Sequence, residues 1–149
     1  MKKLLSKWLM GDVVEKHTTK ADFNTVIETL GEVIKDNNFG IVATHDMRET
    51  YTSKNLSVAD DFEYKIIHLC NAPKSHKALT ELSFDMGVMM PKTIIVAREN
   101  GTTSLRFMRM KPWMVSMMFP EIDIVPLSKK VTGTMEKIVK ETIQKVNNK

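Results

Sequence analysis

The sequence has one cysteine, Cys70, in 149 residues. No intrachain disulfide can form, which excludes a small disulfide-stapled secreted scaffold. Glycine and proline are scarce, at six and five, which excludes collagen-like and low-complexity chains. The glycines are unclustered, and no Walker loop, G-x-G-x-x-G or G-x-S-x-G pattern occurs. A phosphate cradle or a nucleophile elbow therefore has no sequence support. No apolar run approaches the roughly 18 residues of a membrane span. What remains is ordinary soluble composition, 42% hydrophobic and 27% charged. A chain of this length buries roughly 70% of its unfolded surface, so it needs no metal or disulfide to fold.

Charge narrows the partners. Lysine and arginine outnumber acids 22 to 18, a net charge of +4. The basic residues are scattered, the densest groups being Lys2, Lys3, Lys7 and Arg106, Arg109, Lys111. No helix-turn-helix, zinc-finger or RNP-like pattern accompanies them, so nucleic acid is not the expected partner. The close carboxylates Asp60-Asp61 and Glu121/Asp123 fall in polar stretches and read as solvated faces, not paired acid and base. The balance leans away from an enzyme, with an ordinary catalytic triad ranking third among the readings.

The chain reads as one domain over 1–149. Residues 1–12 form an amphipathic segment, 13–110 a core and 111–149 a helical extension. In the first segment Met1, Leu4, Leu5, Trp8 and Leu9 share one helical face, opposite Lys2, Lys3, Ser6 and Lys7. Lys7 interrupts it too early for a signal peptide, so the expected location is the cytoplasm. Ten residues with three lysines give at best weak lipid-surface association. Docking on the protein's own domain or a dimer mate is the expectation.

Residues Val13 to Thr19 are β-branched and read as a strand. Thr19-Lys20-Ala21-Asp22 resembles a capping box. Phe23, Val26, Ile27, Leu30, Val33 and Ile34 then recur at helical spacing, and Asn37, Asn38 and Gly40 end that helix. Ile41–His45 is a second strand, and Asp46 caps a short helix through Tyr51. Ser53–Asp61 is irregular. Phe62–Cys70 is a third strand, apolar on both faces at its far end as a central strand would be. Asn71 caps a helix reaching Leu82. Lys92–Arg98 and Thr102–Met110 flank Asn100-Gly101, a hairpin signal. Pro112 and Pro120 bracket a short helix. Pro126 and Ser128 precede a final helix with the stripe Val131, Met135, Ile138, Val139, Ile143 and Val146, and the polar tail Asn147–Lys149 frays. The order is β-α-β-β-α-β-β-α. The tight hairpin and the shortage of crossover helices exclude an all-parallel sheet. The expected architecture is an α+β two-layer sandwich, a mostly antiparallel sheet with helices on one face.

Two groups of residues carry possible chemistry. His68 and Cys70 point to the same face of a strand, and Cys70 immediately precedes a helix N-terminus, which favours a thiolate. His76 lies one turn into that helix. One thiolate and two imidazoles suit a soft metal such as Cu(I). The alternative is a small buried cysteine, a core histidine and a surface histidine. No CxxC or HExxH spacing decides between them.

The run Leu69-Cys70-Asn71 opening into a helix that ends Lys77-Ala78-Leu79, then Met90-Pro91, a strand, and the hairpin at Gly101 resembles the domain-of-unknown-function 302 family. Phe23 and Gly40 match around the first helix, and the likeness runs from about Val13 to Met110. Ala72 stands where the family usually has proline, Pro73 is displaced by one, and Ser75 replaces an alanine. Many members carry a second cysteine where this chain has Lys92, so a two-thiol role does not carry over. The resemblance implies a small α+β fold, commonly a homodimer, and no established activity.

The second group is methionine. The chain has 12, with Met86, Met89, Met90 before Pro91 and Met114, Met117, Met118 beside Trp113. Helical spacing puts each trio on one face. Each trio reads as core filler, as a deformable apolar patch, or as a thioether Cu(I) site. Two functions follow. The first is a dimeric binding or interaction module for a small apolar ligand or protein partner, Trp8 and Trp113 being apolar surplus for a dimer contact. The second is a thiol- or metal-handling protein built on Cys70.

Overall fold

The computed structural model describes residues 1–149, the Met10 side chain apart. It is a five-stranded antiparallel sheet with two long helices on one face. The elements are α1 (Lys2–Met10), β1 (Val14–Thr19), α2 (Phe23–Asp36), β2 (Gly40–Asp46), α3 (Met47–Ser53), β3 (Glu63–Cys70), α4 (Ala72–Lys77), β4 (Lys92–Glu99), β5 (Thr102–Met108), α5 (Pro112–Met118) and α6 (Val125–Asn147). A π-helical turn (Ala78–Leu82) and a 3₁₀ turn (Phe84–Met89) join α4 to β4. The sheet order is β1-β5-β4-β3-β2, every pairing antiparallel. The sandwich expected from the sequence is therefore present.

Register decides which residues meet the helices. Ile67 pairs with Ile94, Ile94 with Phe107, and Val96 with Leu105. These side chains share one face and are buried with Val26, Leu30, Val33 and Ile34 of α2 and Met135, Ile138 and Val139 of α6. Asn100 and Gly101 have φ of 51° and 72°, the two left-handed residues a type I′ hairpin turn requires.

The other face lies open over much of its area. β3 is central, between β4 and β2, yet Ile66 and His68 on this second face are only half-buried. The short α3 and its following loop pack at one end of the face, where Phe62 stacks on Tyr64 with ring centroids 6.1 Å apart. A central strand in a two-layer fold has one covered face, and periodicity at Ile66–Cys70 does not separate that case from a doubly covered one.

Several boundaries differ from the sequence reading. Asp22, not Thr19, caps α2, accepting from the Asn24 and Thr25 amides. Thr19 Oγ1 instead accepts from the Ala21 amide at 3.1 Å and donates to Asn147 Oδ1 at 2.6 Å. That bond, with Lys149 Nζ donating to Thr29 Oγ1 at 3.1 Å, ties down the tail expected to fray. Pro126 and Ser128 lie inside the first turn of α6, where a missing proline N–H costs nothing. The helix opened by Asn71 ends at Lys77 and loosens into the π-helical turn.

The apolar face of α1 does not dock on its own domain: Leu4, Leu5, Trp8 and Leu9 are all exposed. Lys111 Nζ donates a 3.5 Å hydrogen bond to the Leu9 carbonyl of this helix. Among the described residues no helix is long and apolar enough to cross a membrane.

Candidate functional site

The strand ends at β4's start and β5's finish lie together, because the two pair antiparallel and Phe107 sits opposite Ile94. Around this end of the sheet three segments form a wall. The 3₁₀ turn before β4 supplies Met86 and Met89, three residues apart and so stacked on one side of a helix with three residues per turn. α5 supplies Val115. The first two turns of α6 supply Leu127, Ser128, Val131 and Thr132. Met86 and Val115 are buried in a second small core with Ala78 and Ile124, separate from the main one.

Between this wall and the sheet is a cavity of about 510 Å³, within the roughly 300–1,000 Å³ range of small-molecule sites. Among the described residues six methionines line it: Met86, Met89, Met90, Met108, Met110 and Met135. Val14, Ile95, Phe107, Ile124, Leu127 and Val131 add further apolar surface. Polar groups are few: Tyr64, Lys92, Thr93, Arg106, Ser128 and Thr132. The lining comes from both parities of the strands, so the cavity runs from beneath α6 around the sheet end onto the open face.

Lys92 differs from the other polar groups. It occupies the same strand parity as the core residues Ile94 and Val96, which turns it toward the helix side. Burial alone pushes its ammonium pKa below the usual 10.5, because desolvation penalises the charged form. Arg106 is already engaged, donating to Glu99 Oε1 at 3.2 Å and to Ser104 Oγ at 3.1 Å.

The first methionine trio, Met86, Met89 and Met90, lines the cavity. The second does not: Trp113, Met117 and Met118 are exposed, and Met114 is half-buried away from the cavity. The reason is that α5 is two turns long and turns Val115 inward. Met117, about 200° further round at ~100° per residue, must face solvent.

His68 and Cys70 are both half-buried on β3, alternating with buried Ile67 and Leu69. His68 Nδ1 lies 3.3 Å from Oγ1 of Thr93, its direct partner across β3 and β4. Half-buried Cys70 lines a separate pocket of about 50 Å³ with Phe39, Leu69 and Lys74. His76 is exposed on α4 and lines neither space. Among the described residues no three His, Cys, Asp or Glu side chains are grouped to hold a metal ion.

Sequence reasoning passed over Lys92, Arg106, Tyr64 and Thr93 as site residues. For Lys92 a signal existed: a charge at the head of Thr93-Ile94-Ile95-Val96-Ala97, in phase with the strand's core positions.

A sheet backed by α2 and α6, with a methionine-lined cavity at its end, defines a small two-layer α+β protein. The model of the family described as "Domain of unknown function DUF302" matches residues 14–142, and the chain belongs to that family. The match passes beyond Met110 to take in α5 and most of α6, consistent with α6 supplying half the helical side of the core. An uncharacterised conserved DUF302 protein from Bacillus stearothermophilus has the same fold. Its crystal structure superposes with a TM-score of 0.70 at 23% identity, covering 91% of this chain and 98% of that one. No protein of curated function matches the chain.

Proposed function

We propose that this protein is a non-enzymatic binding module that takes a small apolar molecule into the methionine-lined cavity and works as a homodimer. The observation that carries the reading is the cavity itself: about 510 Å³ with six methionines in its wall. Thioether side chains are flexible and polarizable, so they conform to irregular apolar ligands. The few polar groups are too sparse to solvate the space but sufficient to orient a guest. The dimer rests on apolar surface the protomer leaves uncovered, Leu4, Leu5 and Trp8 on α1 and Trp113 and Met117 on α5.

The test is equilibrium binding of the neutral fluorophore N-phenyl-1-naphthylamine. The native protein is expected to bind it with micromolar affinity, and Met89→Glu, which places a carboxylate in the apolar wall, to lose that binding. A native protein that leaves the fluorophore in water, or a Met89→Glu variant that binds it undiminished, overturns the reading.

A further inference from the structure

We propose that Lys92 is the head-group contact of this cavity, and that the ligand is an apolar molecule ending in a carboxylate. The proposal rests on the cavity being a binding site and adds the chemistry of its occupant. Lys92 lines both the large cavity and the small pocket beside it, at the seam where Met90, Pro91, Leu127 and Val131 are common to the two. Strand parity holds it there: the residue is in phase with buried Ile94 and Val96.

Half-buried, the Lys92 ammonium has lost part of its water without gaining a counter-ion. Among the described residues no carboxylate forms an ion pair with it, and burial is the one influence on its protonation. The other cation of the wall, Arg106, is occupied by Glu99. A carboxylate entering with an apolar tail would supply the missing partner through a charge-assisted hydrogen bond, while the tail covers the methionines. The surroundings favour a negative charge further. The first turn of α6, which contributes Leu127 and Ser128 to the wall, has no acidic residue and no side-chain cap, so the positive end of a 23-residue helix dipole adjoins the cavity. One lysine matches a monoanion better than a phosphate, whose second charge would stay unpaired.

The experiment compares decanoate with decanol by calorimetry, on the native protein, Lys92→Met and Lys92→Arg, with N-phenyl-1-naphthylamine binding as the measure of an intact cavity. Native protein is expected to prefer decanoate by about tenfold or more, Lys92→Arg to retain the preference, and Lys92→Met to lose it while still binding the fluorophore. Lys92→Gln replaces Lys92→Met if the latter fails to fold. Native protein that leaves the fluorophore in water overturns the cavity reading and the head group with it. Native protein that binds both decyl compounds equally, or a Lys92→Met variant that keeps the preference, overturns the head group alone.

Discussion

Lys92 is the residue at which stability and binding pull in opposite directions. Its ammonium is partly desolvated in the folded chain and fully hydrated in the unfolded one, so its folded pKa lies below 10.5. Between the folded value and 10.5 the unfolded chain binds more protons, and stability rises with pH through that window. Lys92→Met removes the desolvation cost. Urea unfolding is expected to give it a higher midpoint than native protein at neutral pH, with the gap closing as pH climbs toward 10.5. A lower midpoint at neutral pH would mean the lysine has a stabilising partner. Asp22 is a simpler case. Its carboxylate accepts from two orphan amides of α2, at 3.0 and 3.2 Å, and Asp22→Ala is expected to cost about 1 kcal/mol in the same measurement. Cys70 is half-buried at a strand end, so Cys70→Ser is expected to cost less than about 1 kcal/mol, below the range for a fully buried hydroxyl. Metal analysis of the native protein and this variant, purified without chelator, tests the soft-metal alternative. Copper retained by the native protein and lost in the variant would establish it.

At the scale of elements, the two terminal helices are opposites. α6 buries Ile138 and Val139 against α2 and the sheet, and Ile138→Ala is expected to cost about 2–5 kcal/mol of unfolding free energy. The described side chains of α1, by contrast, are all exposed. Removing residues 1–12 is expected to shift the unfolding free energy of the protomer by no more than about 0.5 kcal/mol, as for surface changes in general. A large loss that persists at concentrations where the native protein is monomeric would show that its face is covered within the protomer. Between these extremes lies β2, an edge strand with Ile41 and Val42 exposed. A register shift between Ile41 and Ala43 bends this edge, and such bulges hinder pairing with another sheet.

The whole molecule has two small cores instead of one. The larger joins sheet, α2 and α6; the smaller holds Ala78, Met86, Val115 and Ile124; the cavity lies where they meet. The proposed dimer belongs to this scale. Sedimentation equilibrium at tens of micromolar is expected to give roughly 34 kDa, twice the 17.0 kDa chain, and the protein lacking residues 1–12 to move toward the monomer. A native monomer at that concentration would overturn it.

Much of this was written locally. The 3.6-residue period from Phe23 to Ile34 determined α2, the stripe from Val131 to Val146 determined α6, and Asn100-Gly101 determined the hairpin, because each signal acts through neighbours in the chain. The family likeness was legible for the same reason, in short motifs around Cys70 and Met90-Pro91. The cavity was not legible. Met86 faces it and Met117 faces solvent, although both belong to trios with identical spacing, because the inward direction of a short helix is set by what packs on it. Lys92 announced itself only by strand phase, and its significance depended on strand ends, α6 and the 3₁₀ turn converging from positions far apart in sequence. Periodicity specifies which face of an element is apolar; only the packed tertiary structure decides whether that face meets a core, a cavity or water.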